Sequence, residues 1–244
     1  MSVTGDVPET VTAALADQQV AGQVCLEAGA GVGNTTAGLL TAGAKRVYAV
    51  TNDADHAATV RDRVGDGNAD RLAVVTADLR ATPLATDSVD LVTAHGLCNV
   101  LPPADLNAVA AELARVARPD SHLVVDDYAV PPASAAVTRL FALENAAARV
   151  VDGRPALTFY PAGVLAAMFA DHGWAIERRK TLLDPVPWTE AHIEAHSDVV
   201  REYADELPDV VGEPLATMAD NLVSAIGSER AGTMYSLAFR LADR

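Results

Sequence analysis

From Gln23 to Val130 short apolar runs alternate with segments whose apolar residues recur every three or four positions, and this alternation limits the possible folds more than any other feature. Strands joined through helices run parallel, which builds a sheet with helices on its faces. Val24–Ala28, Arg46–Thr51, Leu72–Thr76, Val89–Thr93 and Leu123–Asp127 read as the first five strands. Helices are predicted over Val32–Leu40, ending near Gly43, and over Ala54–Val64, before the turn-rich Gly65-Asp66-Gly67-Asn68. Leu106, Val109, Leu113 and Val116 form one apolar helical face, stopped by Pro119.

After Pro131 and Pro132 the pattern lengthens. Helices are predicted at Ala133–Val151 and Ala162–His172, then a strand at Trp174–Leu182. Two more helices carry stripes of Ile193, His196, Val200, Tyr203 and Leu207, and of Leu215, Met218, Leu222 and Ile226. In Thr233–Leu241, Tyr235, Leu237, Phe239 and Leu241 alternate with Met234, Ser236, Ala238 and Arg240, which reads as a half-buried strand. With 244 residues, half of them hydrophobic, and no repeat or linker, the expectation is one α/β domain over 1–244. Residues 20–130 would form the ligand-binding core, and residues 131–244 a helical cover plus the last two strands.

The segment Val24-Cys25-Leu26-Glu27-Ala28-Gly29-Ala30-Gly31-Val32-Gly33-Asn34 is a strand, a glycine turn and a helix start in sequence. Glycine lets the backbone turn tightly and approach a ligand without a Cβ between them, and the helix amides then face a carboxylate or phosphate. A bare Gly-x-Gly names no cofactor. Two details narrow it: the dinucleotide fingerprint needs its third glycine at position 34, where this chain has Asn34, and Glu27 ends the strand two residues before the first glycine. That carboxylate would repel a pyrophosphate, whereas it suits the ammonium of an amino-acid-bearing sulfonium cofactor.

On these residues the chain resembles the class I methyltransferases that use S-adenosylmethionine (AdoMet), and is similar to their small-molecule, type 11 group. Ala77-Asp78-Leu79 resembles the motif whose aspartate binds the adenine amino group, and Asp87–Gly96 resembles the fourth strand and the loop lining the methyl-transfer site. Glu112–Pro119 resembles the helix end before strand five, while Tyr160-Pro161, Gly173-Trp174 and the closing strand fit the family's last elements. The resemblance implies a Rossmann-like, doubly wound, seven-stranded, mostly parallel sheet with an antiparallel last strand. Helical insertions are expected after strand five and before strand seven. It implies AdoMet as cofactor, held by Glu27, Gly29, Gly31, Gly33, Thr51, Asn52, Asp78, Leu79, Ala94 and His95, with His95 also the candidate base. It further implies a small-molecule acceptor. Two other readings are a nicotinamide-dependent oxidoreductase and a methyltransferase-like protein that binds without turnover.

The sequence departs from the family at two places. The acidic residue that usually ends strand two is Thr51 here, with Asn52 and Asp53 beyond it, and Asp53 is a candidate to reach back to the ribose. Asp120-Ser121 stands where two glycines are common. Asp127 and Tyr128 follow strand five, either to meet the acceptor or to cap and pack. Phe141, Tyr160, Met168 and Trp188 are expected in the core or around the acceptor. His192 and His196 have metal-ligand spacing, but Ile193 replaces the glutamate of the zinc-protease signature and no third ligand is evident, so no metal is expected.

The net charge of −15, with Lys45 and Lys180 the only lysines, suits a protein adapted to high salt and argues against a nucleic-acid partner. Arg178-Arg179-Lys180 is the only basic cluster and reads as a solvated face. Neither end reads as a targeting signal and no apolar run spans a membrane, so a cytoplasmic location is expected. Cys25 lies in an apolar strand as a small core residue, far in sequence from Cys98.

Overall fold

The computed structural model describes residues 7–242. The parallel strands are β1 (Val24–Ala28), β2 (Arg46–Thr51), β3 (Leu72–Thr76), β4 (Val89–His95) and β5 (Ala117–Tyr128). The sheet is completed by β6 (Trp174–Leu183) and β9 (Met234–Leu241), in the order β3-β2-β1-β4-β5-β9-β6. β9 runs antiparallel to both neighbours, so the doubly wound sheet with an antiparallel last strand is as the sequence predicts. A two-stranded antiparallel pair of β7 (Pro187–Trp188) and β8 (Glu229–Arg230), joined through the helices between them, forms a second sheet.

Helices cover both faces. α1 (Glu9–Leu15), α2 (Asn34–Thr41) and α3 (Ala54–Val64) pack over one side, through Val11, Leu39 and Val60 against Cys25, Leu91 and Val124. α4 (Pro103–Val116) and α6 (Ala162–Ala170) cover the other, through Leu106, Leu113 and Phe169 against Leu26, Val92 and Phe239. A third core joins α5 (Val137–Val151), α7 (Glu190–Asp205) and α8 (Asp209–Ile226) around Phe141, Ile193 and Leu222. It meets the sheet at Met234 and Tyr128, which pair at the C-terminal end of β5. The insertions therefore stand over the end of the sheet where parallel α/β folds bind ligands.

Three expectations are corrected. β9 is buried on both faces except at Arg240, because it lies between β5 and β6 inside the sheet, with α6 packed on one side; its polar Ser236 is fully enclosed. Arg178 and Lys180 are only partly exposed: they donate to the carbonyls of Ala14 and Ala13 in the last turn of α1, where cations complement the helix dipole. Arg179 stays exposed. β5 begins directly after α4, so Pro119 lies within the strand's first residues and the helix has already ended at Val116. α1 and the short β7–β8 pair carry too few residues to show a period and were not foreseen.

Asp120 has φ +64°, the left-handed region that favours glycine, which is the residue the family resemblance leads one to expect there. Its carboxylate accepts from Arg240 at 2.6 Å. Cys25 is wholly buried in β1, and burial pushes its thiol up to about 12.

Candidate active site

The chain winds outward from β1 through β2 to β3, then returns to β4 on the other side of β1, and the crevice opens where the direction reverses. β1 ends at Ala28, and the amides of Gly29 and Ala30 both donate to the carbonyl of Val50, tying the glycine turn to the end of β2. Gly29, Gly31 and Gly33 all have positive φ. A Cβ on Gly29 would stand 2.7 Å from the Leu97 side chain, whereas one on Gly31 would meet nothing within 4 Å. A side chain at Gly29 would have to displace the end of Leu97, whereas Gly31 opens onto free space. The sequence predicts α2 from Val32; it starts instead at Asn34, with left-handed Gly33 as its N-cap, which has no side chain to bond the first turn, while buried Glu27 draws on the Thr36 amide.

A cavity of about 370 Å³ lies beside this turn. Of the ten predicted cofactor residues, Gly29, Thr51, Asn52, Asp78 and Leu79 line it, brought together by the ends of β1, β2 and β3. Glu27, Gly31, Gly33, Ala94 and His95 do not. Ala94 is buried in β4 opposite Ala28, where its small size lets the two strands' neighbours close over them. The rest of the wall comes from Arg80, Leu97, Val100, Leu101, Pro102, Asp105, Val109 and Arg154.

Glu27 is fully buried behind the glycine turn, and the Thr36 hydroxyl donates to its Oε2. Burial raises its carboxyl from an ordinary 4.5 to about 7, against the lowering influence of Thr36 and of nearby His95. A buried carboxyl without a cation partner is costly to ionise, so the site is built to gain from a positive group arriving beside it.

Thr51 is buried, and its Oγ1 accepts from the Asp53 amide at 3.1 Å. Asp53 does not reach back toward the cavity. Its carboxylate caps α3, accepting from the amides of Asp55 and His56 at 2.8 Å, and the His56 bond holds it below the usual range. Asp78 is half-exposed and gripped by Arg80 through both oxygens, the shortest contact being 2.6 Å. That guanidinium keeps it ionised, below its ordinary value, and also bonds Asp105 at 2.9 Å.

His95 ends β4 with Nδ1 3.0 Å from Asp126 Oδ2. Asp127, on the opposite side of β5, accepts from the amides of Asn99 and Tyr128, and burial lifts it from 3.8 to about 6. Tyr128 packs against Trp188 with ring centres 5.3 Å apart, and Phe141 packs edge-on to Trp188 at 5.1 Å. Tyr160 and the half-buried Met168 belong instead to the core under α6. His192 completes a capping box with Thr189, and His196 bonds buried Glu144 at 2.7 Å, so the two histidines face different partners.

Sequence reasoning missed Arg80, Asp105, Arg154 and Asp126. Arg80 stands two residues after Asp78, so an Asp-x-Arg pair at a strand end was a readable signal. Asp126 carried none, because Asp126 and Asp127 are adjacent and only the pairing register reveals which one meets His95.

A doubly wound sheet in this order, with an antiparallel strand inserted beside β5 and a glycine turn at the switch point, is the class I methyltransferase fold. Residues 25–120 match the model of a methyltransferase domain. The chain is 34% identical over 133 residues to a demethylmenaquinone methyltransferase from Clavibacter sepedonicus, covering 54% of this chain and 52% of that protein. It thus spans about half the length of that curated relative. Among solved structures, the YcgJ protein of Bacillus subtilis superposes with TM-score 0.64 at 14% identity, over 97% of this chain and 98% of that one. Geranyl diphosphate C-methyltransferase from Streptomyces coelicolor A3(2), solved with Mg2+, geranyl diphosphate and S-adenosyl-L-homocysteine, superposes with TM-score 0.61 at 13% identity, over 95% and 76%. At such identities these structures speak for the fold alone.

Proposed function

We propose that the chain transfers a methyl group from AdoMet to a small-molecule acceptor. The observation that carries this reading is the cavity at the ends of β1, β2 and β3, lined by Gly29, Thr51, Asn52, Asp78 and Leu79, with a buried carboxyl, Glu27, waiting behind its glycine turn. AdoMet supplies an electrophilic methyl group, activated by a sulfonium. Glu27 would receive the ammonium of the methionine end, and the open backbone from Gly29 to Gly33 with the start of α2 its carboxylate. Thr51 and Asn52 hold the ribose, Asp78 the adenine amino group, and Leu79 packs against the base. Ala94 lies beneath, at the paired ends of β1 and β4, and His95, at the end of β4, would serve as base.

The donor set fits AdoMet with one weakness. Asp53 is committed to α3, so the ribose hydroxyls meet neutral partners, each worth about 0.5–1.5 kcal/mol against roughly 1.5–3 for a charged one. This favours modest affinity.

The aromatic core of Tyr128, Phe141 and Trp188 over the end of β5 supports a small acceptor enclosed by the helical cover. The net charge of −15 opposes a nucleic-acid partner. No helix among the described residues is long and apolar enough to cross a membrane. We place the protein in the cytoplasm of a salt-rich cell, on the strength of its acidic, lysine-poor composition.

Thermal shift with S-adenosylhomocysteine against NADH tests the reading. Stabilisation by the first and not the second is the expected result; stabilisation by NADH alone would make the protein an oxidoreductase. Stabilisation by S-adenosylhomocysteine with no label passing from methyl-labelled AdoMet to any fraction of a cell extract would make it a binding protein.

A further inference from the structure

Side chains on a strand alternate between faces, and Cys25, Leu91 and Val124 lie together in the core under α1, α2 and α3. Two residues beyond Cys25 and Val124, and four beyond Leu91, the same face carries Glu27, His95 and Asp126. The apolar core thus gives way at the ligand-binding end of the sheet to a row of two carboxyls and an imidazole. His95 and Asp126 are direct partners in the parallel pairing of β4 with β5.

Three observations distinguish Asp126 from an ordinary ion-pair partner. Its side chain is 5% exposed while that of His95 is 21% exposed, so the pair is buried on the carboxylate side and open on the imidazole side. Asp126 Oδ2 stands 3.0 Å from Nδ1, while Oδ1 is buried with no hydrogen-bond partner, which concentrates the carboxylate's charge on the imidazole. Nε2 of His95 has no partner among the described residues, leaving that nitrogen free.

We infer that Asp126 is a positioning residue that holds His95 as the Nδ1–H tautomer, so that Nε2 takes a proton from the methyl acceptor, and that the acceptor is therefore a small molecule that gives up a proton on methylation, as a hydroxyl or N–H does. The inference rests on the methyltransferase reading above. The acceptor's oxygen or nitrogen gains the methyl carbon and loses its proton to Nε2. The pair of the broken carbon–sulfur bond stays on sulfur, so the positive charge passes from sulfonium to imidazolium. Asp126 stabilises that imidazolium, as a carboxylate does for histidine in hydrolytic triads. A thioether or tertiary amine acceptor has no proton to give and would make no use of the pair.

The test that does not depend on turnover is two-bond 1H–15N NMR of 15N-histidine-labelled protein at pH 8, with His95→Gln assigning the signal. Wild type is expected to show His95 as the Nδ1–H form, and Asp126→Ala to convert it to the Nε2–H form that free imidazole side chains favour. An Nε2–H form in wild type, or an unchanged tautomer in Asp126→Ala, would overturn the proposal. Once extract fractionation yields a methylated product, Asp126→Asn is expected to slow label transfer about 10²-fold or more, the scale of acid–base catalysis, with S-adenosylhomocysteine affinity within about twofold of wild type. Unchanged transfer, or a product methylated on a thioether or tertiary amine, would also overturn it. Loss of S-adenosylhomocysteine binding in wild type, with the Nδ1–H form intact, would sink the methyltransferase reading instead.

Discussion

Glu27 combines two properties seldom found together, full burial and the absence of a fixed cation. With its carboxyl raised to about 7, it is largely protonated at pH 6 and largely ionised at pH 8. An ammonium ligand binds the ionised form and expels the proton, so affinity for S-adenosylhomocysteine should rise about tenfold between pH 6 and pH 8 and level off above. Glu27→Gln should remove that slope and weaken binding at pH 8 by about 10- to 100-fold, the worth of a charge-assisted hydrogen bond; calorimetry across the pH range measures both. At this scale the sequence was legible where chemistry and position coincide. Glu27 and its glycines stand out because nothing in a strand-turn-helix requires an acid there. The roles of Asp53 and Asp126 were hidden, since an aspartate that caps a helix and one that reaches a ligand look the same until the backbone is placed.

Among the elements, the glycine turn separates packing from ligand approach. Gly29→Ala forces a Cβ into Leu97, and Gly31→Ala places one in empty space. Both bear the cost of positive φ, roughly 1–2 kcal/mol. Gly29→Ala should therefore lower the melting temperature more, while Gly31→Ala should lose S-adenosylhomocysteine binding for a smaller loss of stability. Equal effects of the two on stability and binding would show that the open side of Gly31 faces no ligand. Across the sheet, α1 is held by Arg178 and Lys180, and removing both as Arg178→Ala with Lys180→Ala should cost about 2 kcal/mol for two lost donors to carbonyls, or roughly 4–8 °C in melting temperature. The helix periods and the first four strands were readable because each is set by its own residues. The full burial of β9 was not, because alternation of Met234, Ser236, Ala238 and Arg240 with larger apolar residues looks half-solvated until α6 and the neighbouring strands enclose it.

For the whole molecule, two electrostatic effects act in the same direction. Glu27 and Asp127 have folded values of about 7 and 6, above their ordinary 4.5 and 3.8. The folded chain keeps protons that the unfolded chain releases, so the stability these groups contribute is complete below about pH 4 and is lost as pH rises through 6 and 7. Repulsion within a net charge of −15 adds to the decline. Molar KCl shortens the screening length to about 3 Å and should raise the melting temperature at pH 8 by more than at pH 5; a fall on adding KCl would reject salt adaptation. The architecture as a whole followed from the rhythm of strands and helices, yet the arrangement of the cover did not, because apolar stripes say that a helix is covered and not by what. The position of β9 carries a consequence for biogenesis. During synthesis β5 emerges long before its antiparallel neighbour β9, and this apolar strand must hold an unpaired edge in waiting. A chain halted before residue 234 would keep its glycine turn and the cavity beside it but expose the apolar border of β5, making ribosome stalling there a route to aggregation rather than to a shortened, folded chain.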